Sequence, residues 1–189
     1  STGSNKIKTA VFISGTGSNL KSLIKFSKLN KSPIIIKMII SNTSKSKGLQ
    51  YAKIYKIKKK VFDFKNTLSE KKVIFELKKN NINLICLAGF MKVLSKSFIK
   101  NFKGKILNIH PSLLPKYKGL NTHEKAINNK DKYSGCTVHF VNSRLDSGKI
   151  INQKKVKISR FDTPKTLAKK ILIQEHKLYP AAIMKILNL

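Results

Sequence analysis

The run Leu84-Ile85-Cys86-Leu87-Ala88 carries no polar side chain, and it constrains the fold more than any other stretch. Side chains alternate between the two faces of a strand, so a strand apolar on both faces needs cover on both, the condition of a central strand in a parallel sheet. The flanking segments can supply that cover. Ile7–Ser14 is a β-rich run closed by Gly15-Thr16-Gly17-Ser18-Asn19 and followed by Leu20, Leu23 and Ile24 at helical spacing. A strand over Ile34–Ile40, a helix through Leu49, Ala52 and Ile54, a short strand at Lys60–Phe62 and an amphipathic helix from about Ser69 to Asn80 continue the alternation. The expectation is an α/β chain: a single-domain, Rossmann-like, mostly parallel sheet with helices on both faces.

The stretch Ile106-Leu107-Asn108-Ile109-His110-Pro111 predicts a further strand. Asn108 and His110 are two apart and share a face, with Leu107 and Ile109 on the other. Pro111 removes a ladder donor and biases His110 to extended backbone, which ends the strand and leaves the histidine at its C-terminal mouth, where open α/β sheets bind ligands. Thr122 to Ile127 reads as a short helix capped at Thr122. Tyr133–Val141 and Lys149–Ile158 predict an antiparallel addition to the sheet, joined by the turn Ser143-Arg144-Leu145-Asp146-Ser147-Gly148. Asp162-Thr163-Pro164 opens a long final helix. Residues 6–189 are expected to form one domain, and residues 1–5 a disordered start or an expression remnant.

A lone Asn-x-His is more often a buried amide and a satisfied core histidine than a site. Asp146 changes the balance. With Asn108 and His110 it would supply a neutral donor, a titratable donor and an anion that favours the protonated imidazole, which suits acyl transfer with negative charge developing on oxygen. The glycine loop at Gly17-Ser18-Asn19 presents backbone N–H groups at a helix N-terminus and suits a phosphate, the bland alternative being a glycine turn with an Asn or Ser cap. Without a third glycine or an acidic residue after the second strand, the loop disfavours a nicotinamide dinucleotide.

Composition excludes more than it selects. Cys86 and Cys136 sit in apolar segments, and the four histidines show no clustered spacing, so no metal site is expected. No run is long enough to cross a bilayer and no signal peptide is visible, so a cytoplasmic protein without membrane association is expected. The net charge of +32 invites a nucleic-acid partner. Its lysines are spread through every segment, however, more like the drift of an AT-rich coding sequence than a binding stripe.

Taken in order, the blocks Ile13–Leu20, Leu87–Leu94, Ile106–Lys116 with Tyr117 and Gly119, Val138–Val141, Leu145–Gly148 and Gln174-Glu175-His176 with Tyr179-Pro180 resemble the folate-dependent glycinamide ribonucleotide formyltransferase family. The resemblance spans nearly the whole chain. It implies formyl transfer from 10-formyltetrahydrofolate, as co-substrate, to the amine of glycinamide ribonucleotide in purine synthesis, with no metal and no covalent enzyme intermediate. It further implies catalytic roles for Asn108, His110 and Asp146, and ribonucleotide contacts at Gly17, Ser18, Asn19 and Glu175. Folate contacts are implied at Met91, Lys92, Val93, Leu94 and Asn108, and along the loop Asn142, Ser143, Arg144, Leu145 and Asp146. Lys92 stands where the family commonly has Arg, and Ser147 where a Gly is frequent. The segment between Phe64 and Glu76 is shorter than usual, which leaves the family's basic residue for the folate glutamate unplaced, with Lys71 or Lys72 able to serve.

The partners expected are these two small molecules, with the chain a monomer or homodimer. Methionyl-tRNA formyltransferase and formyltetrahydrofolate hydrolase resemble the chain in the same three residues, but both are expected to be longer. A basic nucleic-acid-binding protein explains the charge and leaves Asn108, His110 and Asp146 unexplained.

Overall fold

The first β-rich run becomes strand β1 (Ile7–Ile13), whose residues Ala10 to Ile13 are fully buried. Helix α1 (Ser18–Ser27) follows the glycine turn and buries Leu20, Leu23, Ile24 and Ser27, one face at i, i+3, i+4 and i+7. The chain continues through β2 (Ile34–Ser41), a 3-10 turn (Lys47–Leu49) leading into α2 (Gln50–Ile54), β3 (Lys58–Val61), α3 (Thr67–Lys79) and β4 (Leu84–Leu87). Then come α4 (Lys96–Asn101), β5 (Lys105–His110), α5 (Thr122–Asn128), β6 (Tyr133–Phe140), β7 (Ile150–Lys157) and α6 (Pro164–Ile186). This computed structural model describes residues 6–187, so the expected disordered start lies outside the described residues.

The strands form a seven-stranded sheet in the order β3-β2-β1-β4-β5-β6-β7, an α/β fold with a mostly parallel sheet and one antiparallel part. The residues divide at Leu107/Asn108 into two compact units. In the first, β1 pairs in parallel with both β2 and β4, and β2 with β3. Strand order reverses between β1 and β4, and such a switch point leaves a crevice beyond the strand ends. All four residues of β4 are buried, as its apolar sequence requires. Phe12 stands at the centre of an aromatic cluster, 5.9 Å from Phe64, 5.4 Å from Phe90 and 6.3 Å from Phe98 between ring centroids. In the second unit β6 and β7 pair antiparallel, and α6 packs on both. Its buried stripe of Leu167, Ile171, Tyr179, Ala182 and Ile183 supplies the cover.

The sheet's two edge strands, β3 and β7, carry Lys58-Lys59-Lys60 and Lys154, Lys155 and Lys157. Charged edges resist pairing with other chains, so part of the lysine excess acts as edge protection.

One local expectation is corrected and two details are added. The cap of α5 is Asn121, in left-handed backbone at φ 60° and without a side-chain cap bond, while Thr122 lies inside the helix and is buried. The helix through Leu49 and Ile54 is a 3-10 turn joined to five α-helical residues. Helix α4 was not expected, because six residues are too few to show a period. Its signal was Ser95, whose hydroxyl accepts from Phe98 N at 3.0 Å and whose own N–H donates to Glu70 Oε1 at 2.9 Å. The Ser95 hydroxyl also donates to Glu70 Oε2, so this buried carboxylate is held by both donors of one residue. Ser95→Ala removes the cap and leaves Glu70 short of a donor, and should cost about 1–3 kcal/mol by urea denaturation.

Candidate functional site

In the first unit the glycine turn is set by close packing. Gly17 adopts φ 77°, in the left-handed region that favours glycine. A Cβ there would lie 2.7 Å from the Gly48 Cα, and one on Gly48 would lie 2.9 Å from the Gly17 Cα, so the two backbones meet where neither side can carry a side chain. Gly48 N and the Ser46 hydroxyl both donate to Gly15 O at 2.9 Å. The start of α1 has no side-chain cap bond, against the capped-turn alternative, and no acidic residue in its first turn. Its first-turn N–H groups therefore remain available to an anion. Asn19 is buried, and its Oδ1 has no hydrogen-bond partner among the described residues. Turning the amide over would offer Nδ2 as a donor instead.

Ser14, just after β1, ties this turn to the segment after β4. Its hydroxyl donates to Asn42 Oδ1 and accepts from Met91 N at 2.8 Å. Met91 and Val93 are 60% and 66% exposed while Leu94 is buried, so this segment offers apolar side chains to solvent beside a fixed backbone. Lys71 and Lys72 line a separate cavity of about 380 Å³ with Lys60, Phe62, Phe75 and Glu76.

The second unit brings Asn108, His110 and Asp146 together. His110 Nδ1 lies 3.4 Å from Asp146 Oδ2, and Asn108 Nδ2 lies 3.5 Å from Asp146 Oδ1. Asn108 and His110 project together from the end of β5, as the alternation of that strand predicts, and Asp146 reaches them from the turn between β6 and β7. Asp146 is in left-handed backbone at φ 46°, and Gly119 N donates to its Oδ2 at 2.9 Å. His110 Nε2 faces the Tyr117 carbonyl at 2.8 Å. Because a carbonyl only accepts, Nε2 carries a proton, and the second ring nitrogen is turned to the carboxylate.

A fourth residue completes the cluster and escaped the sequence reading. His139 is 2% exposed, its Nδ1 is 2.9 Å from Phe140 O, and its Nε2 is 3.3 Å from Asn108 Nδ2 and 3.7 Å from Asp146 Oδ1. The carbonyl fixes the proton on Nδ1, so neutral His139 accepts at Nε2 from Asn108 and orients its amide. The available signal was parity. On β6, Thr137 and His139 share one face, and Thr137 Oγ1 donates to Ser112 O at 2.7 Å and accepts from Leu114 N at 3.1 Å, pinning the loop after β5.

The turn from Asn142 to Leu145 is exposed and shaped from within. Arg144 N donates to Asn142 Oδ1 at 2.9 Å, and the Ser147 hydroxyl donates to Leu145 O at 2.8 Å while accepting from Lys118 Nζ at 2.7 Å. Glu175 is buried on α6 rather than presented at a surface. Its charge adds to the burial that pushes the Cys136 thiol up to about 12. Among the described residues there is no group of three or more His, Cys, Asp and Glu arranged to hold a metal ion, and no helix is long and apolar enough to cross a membrane.

A family model described as Formyl transferase matches residues 7–183. The chain is 43% identical over 180 residues to phosphoribosylglycinamide formyltransferase of Haemophilus influenzae, covering 93% of this chain and 85% of that protein. It is also 43% identical over 184 residues to the trifunctional purine biosynthetic protein adenosine-3 of Homo sapiens, covering 94% of this chain but 18% of that much longer protein. The crystal structure of phosphoribosylglycinamide formyltransferase from Brucella melitensis superimposes with a TM-score of 0.91 at 39% identity, covering 96% of each chain.

The electrostatics of Asp146 make a prediction independent of any substrate. Burial pushes its carboxyl up, but the His139 imidazole beside it, the Gly119 N–H and the nearby His110 outweigh it and hold it below the usual carboxylate range. A carboxyl lowered in the folded state contributes stability that is present above the unfolded value of about 3.9 and is lost as pH falls through the lower folded value. Chemical denaturation of the parent and Asp146→Asn should therefore show a stability advantage for the parent at neutral pH. That advantage should vanish in acid below the ordinary carboxylate range.

Proposed function

The chain belongs to the phosphoribosylglycinamide formyltransferase family, and from that premise we propose that it transfers the formyl group of 10-formyltetrahydrofolate to the amine of 5'-phosphoribosylglycinamide in purine biosynthesis. The observation that carries this reading is the convergence of Asn108, His110 and Asp146 at the end of β5, with each Asp146 oxygen facing one of the other two.

In this reaction the amine nitrogen bonds to the formyl carbon, the carbon's bond to N10 of the folate breaks, and the proton released by the amine ends on N10. Negative charge develops on the formyl oxygen in between. Asn108 has two amide protons, one directed to His139 and the other held loosely, at 3.5 Å from Asp146, so it is the donor free to stabilise that oxygen. His110 handles the proton, and Asp146 stabilises the imidazolium whenever His110 carries both protons. The open first turn of α1, with Gly17, Ser18 and Asn19, receives the ribonucleotide phosphate, and buried Glu175 is assigned to the ribose. The backbone of Met91 to Leu94 and the loop from Asn142 to Asp146 receive the folate. Substitution of Lys92 for Arg is compatible with contact through backbone.

The test incubates the protein with a 10-formyl folate and either the ribonucleotide or charged initiator tRNA, and follows loss of the formyl group. Turnover with the ribonucleotide is expected. His110→Ala should lower kcat by about 10²–10⁴-fold. Turnover confined to tRNA, or undiminished in His110→Ala, would overturn the proposal.

A further inference from the structure

The Tyr117 carbonyl, which takes the His110 Nε2 proton at 2.8 Å, is itself held by an unusual anchor. Tyr117 is in left-handed backbone at φ 56°, a conformation that non-glycine residues keep only when their surroundings impose it. Two sets of contacts impose it. On the backbone side, the fully buried Ser112 hydroxyl reaches Lys116 O at 2.6 Å and Tyr117 O at 3.2 Å. On the side-chain side, the Tyr117 phenol donates to Asp131 Oδ2 at 2.7 Å and accepts from Asn129 Nδ2 at 2.6 Å.

Asp131 is used at both oxygens, since Lys116 Nζ donates to Oδ1 at 2.7 Å. One carboxylate therefore grips the two consecutive residues whose carbonyls Ser112 reaches. Burial pushes the Asp131 carboxyl up, but its bonds from Lys116 and Tyr117 hold it below the usual range, so the anchor stays anionic at neutral pH. Its own position is fixed from α5, where Asp131 N donates to Ala126 O at 3.0 Å.

We propose that Asp131 and the Tyr117 phenol are positioning groups for His110: by holding the Tyr117 carbonyl in place they keep the Nε2–H directed at it and the Nδ1 side turned to Asp146. Neither group touches the reacting atoms. They act through the carbonyl. Without the anchor the backbone of Tyr117 relaxes from its left-handed conformation, the carbonyl withdraws, and the ring is free to exchange its proton between nitrogens or rotate away from Asp146. The inference rests on His110 being the residue that handles the proton in formyl transfer.

The test compares Tyr117→Phe, Asp131→Ala, Asp131→Glu and the Tyr117→Phe/Asp131→Ala pair with the parent, by steady-state kinetics and by the ¹⁵N shifts of the two His110 ring nitrogens, which report which one is protonated. Tyr117→Phe and Asp131→Ala should each lower kcat by about tenfold or more, the scale of a small misplacement of a reacting group, with KM for the ribonucleotide nearly unchanged. The pair should be no worse than Asp131→Ala alone, because both substitutions break one anchor. Asp131→Glu should recover part of the loss, and the His110 ¹⁵N shifts should move in the two impaired variants. Should Asp131→Ala fail to fold, Tyr117→Phe, which deletes a single oxygen, carries the test. A Tyr117→Phe enzyme with parental kcat, or with unchanged His110 shifts, would overturn the proposal. A parent that transfers no formyl group sinks the catalytic reading instead, and leaves the ¹⁵N comparison to judge the anchor.

Discussion

The organisation of the second unit depends on one buried carboxylate and the donors around it. Asp146 is 8% exposed, and a charge so placed is tolerable only when its oxygens are engaged. Oδ2 takes the Gly119 N–H and faces His110, while Oδ1 faces Asn108 and His139. These contacts draw together the end of β5, the loop after it, β6 and the turn before β7. The same contacts that make the anion affordable also orient an amide and two imidazoles. Under the proposed formyl transfer, stability and chemistry are coupled at this carboxylate.

The first unit solves a different problem, that of leaving donors unused. Helices α3, α4 and α6 satisfy first-turn N–H groups with a side-chain cap, through Asn66, Ser95 and Thr163, while the short α2 and α5 do not. Helix α1 has no such side chain at work. What holds its start instead is the contact of Gly17 with Gly48 and the two bonds onto Gly15 O. The turn is thus rigid without consuming the amides. That is the condition for a preorganised anion site.

The large positive charge has a partial structural account. Lysines on β3 and β7 guard the sheet edges, and others are tied into local contacts: Lys58 and Lys60 to Glu76, Lys116 to Asp131 and Lys118 to Ser147. These are exposed or partly exposed contacts, screened by solvent and of modest worth.

The sequence by itself determined the layer pattern, the parallel centre, the antiparallel addition near the C-terminal end, and the shared face of Asn108 and His110, because strand and helix periods and Pro111 act over a few residues and can be read locally. It also singled out Asp146 and the Gly17 loop, through turn chemistry and through resemblance. Only the tertiary structure decided the rest. His139, 31 residues from Asn108, joined the cluster because β6 turns its polar face to that side, a fact set by pairing and not by any local signal. Tyr117 and Asp131 met across 14 residues of chain by way of α5, and Ser95 found Glu70 across 25. Glu175 stands inside the helix packing, where the sequence could show a carboxylate but not its burial. Hydrogen bonds between distant residues depend on distances of a few ångströms, and sequence spacing carries no such information until the fold has closed the loops between them.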